Sequence, residues 1–251
     1  MKKVILLVSI VLIFSSWGKI GHRTIGEIAE RQLTPEVKEK VRELLDNQSL
    51  AVVSTWADEM RSNPDFDKYG KWHYVNLPLD KEYSEIEHTQ DNIVIIINQA
   101  IDSLKSETTS QDRKQFYLKY LVHMVGDLHQ PLHTGREEDW GGNKIKVKFK
   151  GRNSNLHSLW DSGIIDDYKM SYTEYADKLM DKFENRLDFR QGSAEDWANE
   201  SHSYVPKIYK IKEGSYLSYD YVYENQHIID KRLFQSGTRL ANLLNEIFTE
   251  K

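Results

Sequence analysis

The strongest constraint on this chain is a group of histidines and aspartates close together in the sequence. Two histidines are each followed by an aspartate four positions later, in the pairs His123–Asp127 and His157–Asp161, and His133 lies between the pairs. Residues four apart on an α-helix share a face, so each pair can present both side chains together. Zinc binds imidazole and carboxylate groups of this kind. The chain must therefore fold so that helical segments bring these side chains to one place.

A single histidine, or one His-x3-Asp pair, is weak evidence for a metal, because such residues are common in ordinary cores and surfaces. The matched pairs together favour a metal site. His129 lies two positions beyond Asp127 and off its helical face, so we interpret it as a residue that supports the ligands or the fold. His88, His202 and His227 have no acidic or histidine partner at a useful spacing. We interpret these three as structural.

Residues 1–16 have the pattern of a secretory signal peptide. Two lysines near the start are followed by an apolar segment that is too short to span a membrane comfortably. Ser16 is small enough for the cleavage site, whereas Phe14 is larger than the residue usual at its position. An uncleaved anchor is the alternative. We predict a signal peptide over 1–16, a domain over 17–251, and a secreted or periplasmic protein that has no membrane contact after cleavage.

The composition limits both the stabilising bonds and the partners of the chain. It contains no cysteine, so an exported protein of this sequence has no disulfide framework. Its formal net charge is −5 at pH 7. A general nucleic-acid coat needs a basic surface to neutralise phosphates. An enzyme that holds phosphates through bound metal ions does not.

Apolar residues at helical spacing dominate the chain and predict an all-α fold, a single mostly helical domain with a small β element. The alternation of lysine and apolar residues over 144–150 predicts one strand, with Ile145, Val147 and Phe149 turned inward. Residues 65–80 and 137–143 are predicted to be irregular. The predicted helices are 22–33, 35–45, 49–61, 88–105, 111–130, 156–169, 172–189, 193–213 and 220–248.

Further candidate site residues lie before the paired histidines. Asp58 and Arg61 are one turn apart, which by itself indicates only an ion pair on a helix. His73 lies in an aromatic segment, which by itself indicates a cluster at the edge of the core. Trp17 directly follows the predicted signal peptide, and His22 lies near the start of the first predicted helix.

Taken together, nine positions in this order resemble the zinc-dependent single-strand-specific nucleases of fungi and plants, which belong to the phospholipase C/nuclease superfamily. The resemblance runs from Trp17 to about Asp161, and the helical remainder fits it. It implies a phospholipase C/nuclease-like fold with three zinc ions in one cleft. The nine positions are Trp17, His22, Asp58, His73, His123, Asp127, His133, His157 and Asp161.

The resemblance also implies which residues hold each ion. Asp127 would bridge the first and third ions, and the third would also bind the backbone amine and carbonyl of Trp17. A free amine on Trp17 requires cleavage after Ser16. The implied ligands are Asp58, His73, His123 and Asp127 for the first zinc, His133, His157 and Asp161 for the second, and Trp17, His22 and Asp127 for the third.

The activity that the resemblance implies is hydrolysis of single-stranded RNA and DNA at P–O3′ bonds to give 5′-nucleotides, with 3′-nucleotides as further substrates. Asp58 would orient the nucleophile, and Arg61 would contact the developing negative charge. Tyr74 matches an aromatic residue on which bases stack. Asn76 stands where the family often has aspartate, which leaves base preference open, and Asn143 matches a loop lining the cleft. No stable protein partner is implied.

Two other functions remain open. A zinc-dependent phospholipase C would use similar ligands on a lipid phosphodiester. Its family has glutamate where this chain has Asp161, and a shorter gap than the 24 residues from His133 to His157. A non-catalytic zinc-binding protein would explain the ligands, but it would not need Arg61 and Tyr74 beside them.

Overall fold

The computed structural model describes residues 17–184 and 186–249, and the predicted signal peptide lies outside them. As predicted, the fold is mostly helical with a small sheet. The α-helices are α1 (Lys19–Arg31), α2 (Pro35–Leu44), α3 (Leu50–Val53), α4 (Trp56–Met60), α5 (Ile93–Lys105), α6 (Gln111–Leu128), α7 (Leu156–Ser158), α8 (Ile164–Asp167), α9 (Tyr172–Phe183), α10 (Ala194–His202), α11 (Val205–Ile208) and α12 (Tyr219–Phe248). Short 3-10 helices cover Pro64–His73, Tyr83–Glu85, Pro131–Thr134 and Leu187–Arg190, and a π-helical turn covers Leu159–Gly163.

The core forms where α1, α6 and α12 pack together, with α5 against α6 and α9 against α1. Helix α1 turns one apolar face into this core, where Ile25, Ile28 and Ala29 are fully buried. Helix α6 is buried on nearly all sides over its last three turns. This burial places any polar side chain on that part of α6 in the protein interior. Within the described residues, no helix combines the length and hydrophobicity needed to cross a membrane.

Side-chain caps set several helix starts. Thr34 caps α2: its side chain accepts a 3.3 Å hydrogen bond from the Val37 N–H, and proline stands at the first helical position. Helix α5 begins later than the predicted residue 88. Asn92 has an extended backbone, and its side chain accepts a 3.0 Å hydrogen bond from Val94 N–H, which fixes the start at the next residue.

The predicted helix 49–61 is wrong as one continuous element, because it is interrupted at Ser54 and Thr55 into α3 and α4. The Ser54 hydroxyl donates a 2.9 Å hydrogen bond to the backbone oxygen of Ala51. The backbone oxygen of Ser54 then accepts a hydrogen bond from the side chain of His123 on α6. In a regular helix this oxygen would accept a hydrogen bond from the helix itself, whereas the break leaves it to bind His123 of α6.

The sheet has three strands in the order β2–β1–β3, of which the sequence predicted one. Strand β1 (Lys146–Phe149) pairs with β2 (Arg152–Asn155) antiparallel and with β3 (Tyr216–Leu217) parallel. Val147 and Phe149 are buried, as predicted, and Ile145 is half-buried. The predicted helix 193–213 is instead α10 and α11, separated ahead of Pro206, after which the chain turns into β3.

Candidate metal centre

Asp127 lies at the centre of the histidine and aspartate group and is fully buried. Its Oδ1 is 3.2 Å from His22 Nε2. Its Oδ2 is 2.9 Å from His73 Nδ1 and 3.2 Å from His123 Nε2. The two carboxylate oxygens therefore face different sets of histidines, an arrangement in which one aspartate can contact two neighbouring cations.

The eight predicted side-chain ligands come together in three groups, and within each group the candidate ligand atoms lie within 4.8 Å of one another. Two of the groups share His123. The third group lies beside them, because His133 Nδ1 is 3.9 Å from Asp127. Within the third group, the rings of His133 and His157 are stacked with their centroids 5.1 Å apart. The groups are His22, His123 and Asp127; Asp58, His73 and His123; and His133, His157 and Asp161.

Local structure explains how side chains so far apart in sequence converge. Both His-x3-Asp pairs share a face as predicted: His123 Nε2 is 3.2 Å from an oxygen of Asp127, and His157 Nε2 is 3.2 Å from an oxygen of Asp161. Helix α6 ends before Pro131, and the 3-10 turn that follows brings His133 Nδ1 to 3.9 Å from Asp127 Oδ2. The remaining ligands stand on α1, on α4 and at the end of the 3-10 helix Pro64–His73.

Hydrogen bonds donated to backbone oxygens fix the orientation of three histidine rings. The Nδ1–H of His123 donates to Ser54 O at 2.6 Å, that of His133 to His73 O at 2.6 Å, and that of His157 to Gly141 O at 2.7 Å. In a neutral ring, a donor hydrogen on Nδ1 places the lone pair on Nε2. Backbone acceptors of this kind are the usual support of metal-binding histidines.

The donor set fits a divalent metal such as zinc. His133 Nε2 is buried, and no described atom forms a hydrogen bond with it. An unsatisfied buried polar atom costs about 1–3 kcal/mol. A cation would satisfy this nitrogen and would balance the neighbouring carboxylates of Asp127 and Asp161. Imidazole and carboxylate groups are typical zinc ligands in proteins.

The protonation states of the group follow from burial and from the carboxylates. Burial lowers the pKa values of His22 and His73, which favours their neutral, metal-binding forms. Burial also disfavours a charge on His123, but Asp127 and Asp58 outweigh it and raise its pKa to about 9. Burial likewise opposes the charge on Asp127, but His123 and other histidines hold its pKa well below the usual range. A metal would displace the proton of His123.

A cavity of about 250 Å³ opens beside the metal groups. Three of the histidines reach its wall, so a ligand in the cavity can contact the metal positions. Arg61, Tyr74 and Asn76 also line the cavity. The cavity is lined by Arg61, Gly70, His73, Tyr74, Asn76, Leu132, His133, Trp140, Gly141 and His157.

Arg61 and Asp58 form the helical ion pair that the sequence indicated, with Nη1 and Oδ1 3.5 Å apart. About a quarter of each side chain is exposed, with values of 26% for Arg61 and 27% for Asp58. Arg61 lines the cavity and can reach a ligand there, and the ion pair joins Asp58 to it. Asn143 differs from them, because it is buried and its amide donates to Trp140 O at 2.8 Å.

Trp140 was not predicted as a site residue. It lines the cavity, 41% of its surface is exposed, and its φ of 55° is unusual for a bulky residue. Gly141 follows in the same left-handed region, with a φ of 59°, and a side chain there would collide with Leu132 O. The strained turn aims Gly141 O at His157. The only sequence signal was an aromatic residue directly before a glycine pair in a predicted loop.

The other histidines lie outside the three metal groups in the part of the chain that the structure describes. His129 donates from Nδ1 to Val125 O at 2.7 Å, and its Nε2 accepts from Arg239 at 2.9 Å. His88 contacts Tyr83 O at 2.9 Å. His202 contacts two backbone oxygens, at 2.7 and 2.9 Å.

Gln130, also not predicted, donates from Nε2 to Asp161.

Comparison with known proteins places this site in a family. A family model described as S1/P1 nuclease matches residues 17–249. The chain is 32% identical to Endonuclease 4 of Arabidopsis thaliana over 94% of this chain and 90% of that protein. It is 27% identical to Nuclease P1 of Penicillium citrinum, over 92% and 97% of the two chains, and 27% identical to Nuclease S1 of Aspergillus oryzae, over 93% and 92%. With the fold and the buried histidine and aspartate groups in agreement, the chain belongs to the S1/P1 nuclease family.

Proposed function

We propose that this protein is a secreted three-zinc phosphodiesterase that hydrolyses single-stranded RNA and DNA at P–O3′ bonds and releases 5′-nucleotides. 3′-Nucleotides are smaller substrates of the same reaction. The observation that carries the proposal is the position of Asp127, whose two oxygens face His22 on one side and His73 with His123 on the other. Relatives named as endonucleases and nucleases support nucleic acid as the substrate class.

The proposed ligands follow the three buried groups. The first zinc takes Asp58, His73, His123 and Asp127. The second takes His133, His157 and Asp161, and the third takes His22, Asp127 and the backbone amine and carbonyl of Trp17. When bound, zinc lowers the pKa of water towards ~7, stabilises charge on phosphoryl oxygens and assists departure of the alkoxide.

Asp58 in α4 and Arg61 at the end of this helix are the side chains proposed to act in the reaction. Asp58 is placed to orient the attacking nucleophile through a carboxylate oxygen. Arg61 lines the cavity, and its planar guanidinium is suited to hold a phosphate oxygen as negative charge develops. The 3.5 Å ion pair with Asp58 holds Arg61 at the cavity before substrate arrives.

Aromatic side chains at the cavity account for a preference for single strands. Tyr74 and Trp140 both line it, and either ring offers a stacking surface for a base without regard to sequence. A base must leave its own stack to reach such a ring, and unstacking costs least in a single strand. Asn76 on the same wall is the proposed contact for a base edge, and Asn143 supports the loop that carries Trp140.

Secretion and the third zinc are linked through Trp17. The proposed cleavage after Ser16 creates the free amine that the third zinc requires. A free α-amino group has a pKa of about 7.7–8.0, so a metal can displace its proton near neutral pH. Protein matured at Trp17 is expected to bind three zinc ions per chain by elemental analysis. Protein with one added residue before Trp17 is expected to bind two, and full zinc content and activity in that form would contradict the assignment.

Product analysis tests the reaction itself. Hydrolysis of a single-stranded oligonucleotide should leave 5′-phosphate and 3′-hydroxyl ends, detected by mass spectrometry of the fragments. Release of inorganic phosphate from 3′-AMP, but not from 5′-AMP, should accompany it. Fragments carrying 3′-phosphate would show cleavage of the other ester bond and would contradict the proposal.

A further inference from the structure

The outward side of the small sheet carries concentrated positive charge on a chain whose net charge is −5. Along β1, Lys146 and Lys148 are exposed, whereas Val147 and Phe149 between and beside them are buried. Lys144, just before the strand, is exposed as well. We call this surface the lysine face, and it consists of Lys144, Lys146, Lys148, Asn153 and Tyr216.

The strand register places an aromatic ring beside the lysines. Lys148 pairs with Asn153 on β2 and with Tyr216 on β3. Paired residues on neighbouring strands project to the same side of a sheet. Tyr216 is 64% exposed, while the next residue, Leu217, is buried. The lysine face therefore combines cationic, amide and aromatic side chains on one accessible surface.

The charge of this face is not neutralised by neighbouring carboxylates. In the described part of the chain, no ion pair joins Lys144, Lys146 or Lys148 to an acidic side chain. Lys144 Nζ instead donates to Glu138 O at 2.9 Å, and Lys146 Nζ to a backbone oxygen at 3.3 Å. Such contacts leave the full positive charge available to an external anion.

The lysine face continues from the cavity of the metal centre. Lys144 Nζ lies 4.2 Å from the centroid of the Trp140 ring, and Trp140 lines the cavity. Each residue of β1 rises about 3.3 Å, so Lys146 and Lys148 lie roughly 7 Å apart along the strand. Lys146 Nζ contacts Asn143 O at 3.3 Å, so the lysines of β1 follow directly on the turn that carries Trp140.

We infer that the lysine face is an extended binding surface for the single strand of nucleic acid whose cleaved bond lies at the metal centre. This inference rests on the proposed function. The lysines hold phosphates distant from the cleaved bond, and Tyr216 stacks a base, the combination by which proteins bind single strands without sequence preference. The surface raises the affinity for long substrates and leaves the reaction on a dinucleotide unchanged.

Comparison of a long and a short substrate on the zinc-loaded enzyme tests the inference. For an oligodeoxythymidylate of about 20 nucleotides, Lys146→Gln with Lys148→Gln should lower kcat/KM roughly 10-fold at low salt, and the dinucleotide should be cleaved as before. The slope of log kcat/KM against log salt should become shallower by about 0.7 for each lysine removed. The single variants Lys146→Gln and Lys148→Gln are measured as well, and Lys105→Gln, which removes an exposed lysine from α5, is their matched control.

Tyr216 gives an independent measurement. Tyr216→Ala should lower kcat/KM on the long substrate, whereas Tyr216→Phe, which keeps the stacking ring, should not. Unchanged rates and an unchanged salt slope in the lysine and Tyr216→Ala variants would overturn the inference.

Binding separates this inference from the proposed function. If the unaltered enzyme cleaves neither substrate, the proposed function fails, and fluorescence anisotropy with a labelled phosphorothioate strand still measures the lysine face. Weaker binding by the double lysine variant would then support the surface, and equal binding would refute it.

Discussion

The backbone N–H of Gly18 donates a 2.7 Å hydrogen bond to the backbone oxygen of Asp161. This bond joins the residue after Trp17 to a candidate ligand more than 140 positions away in the sequence. Trp17 is fully buried, so the start of the described chain is held in the interior next to the metal groups. The third zinc site and the second are therefore mechanically connected in our proposal.

Glycine is required at position 18 by this close approach. A Cβ at Gly18 would lie 2.6 Å from Cβ of Ser162, nearer than such atoms pack. We expect Gly18→Ala to displace Trp17 and lower the zinc content below three per chain, measured by elemental analysis. Addition of Ser162→Gly removes the opposing Cβ and should restore the zinc content. Gly70→Ala meets no atom within 4 Å and is the control for the added methyl group. Full zinc content in Gly18→Ala would show that this contact does not position Trp17.

Arg61 is predicted to act on the reaction and not on metal binding. Because it contacts the cavity but belongs to none of the three metal groups, Arg61→Ala should retain zinc. Its kcat on single-stranded DNA should fall by about 10²–10³-fold, the usual cost of removing a group that stabilises developing negative charge. Arg61→Lys should recover only part of the rate, since lysine lacks the planar fork. Equal loss of zinc and activity would assign Arg61 a structural role instead.

Tyr74 is predicted to contribute through its ring. Stacking of one base is worth about 1–3 kcal/mol, so Tyr74→Ala should weaken substrate affinity roughly 5- to 150-fold, measured through KM for a dinucleotide. Tyr74→Phe should behave like the unaltered enzyme. A large defect in Tyr74→Phe would instead point to the hydroxyl, whose pKa is raised by burial.

Acid stability should depend on Glu200, which forms ion pairs with Arg232 and Arg239. Burial alone would raise the pKa of Glu200, but the guanidinium groups of Arg232 and Arg239 lower it to about 2. A carboxylate whose pKa is lower in the folded than in the unfolded protein stabilises the fold. This stabilisation is complete at pH values above the pKa of the unfolded state, and it is lost as the pH falls through the pKa of the folded state. The contribution is at most roughly 3 kcal/mol, fully present above about pH 5 and lost towards about pH 2.

Urea unfolding of chelator-treated protein measures this contribution. The unfolding free energy of Glu200→Gln should be lower than that of the unaltered protein at pH 6, and the difference should shrink as the pH falls towards 3. Glu213→Gln, which removes an exposed carboxylate, is the control. A difference between the two proteins that is constant with pH would contradict the role of the Glu200 charge.

The sequence alone predicted the two His-x3-Asp pairs, because their geometry depends on local spacing. His123 with Asp127, and His157 with Asp161, share faces simply because they are four residues apart on helical backbone. The apolar face of α1 was predictable from its period for the same reason. The assignment of Trp17, His22 and His73 to the same place came from resemblance, since spacing cannot bring together residues from separate elements.

Features set by tertiary contacts were not predictable. The break between α3 and α4 leaves Ser54 O to His123, a partner 69 residues away. Strand β3 is two residues long and exists because it pairs with β1. Trp140 faces the cavity only because a strained turn with two following glycines directs it there. In each case a distant part of the chain, and not the local pattern, determines the structure.

The most direct test of the account is hydrolysis by protein matured at Trp17, with single-stranded RNA, single-stranded DNA and phosphatidylcholine offered side by side, each with and without a chelator. We predict release of 5′-nucleotides from both nucleic acids, complete loss of that activity with the chelator, and no cleavage of the lipid. Lipid cleavage without release of nucleotides would contradict the account and favour a phospholipase C. No cleavage of any of the three would contradict it too, and would favour a non-catalytic zinc-binding protein.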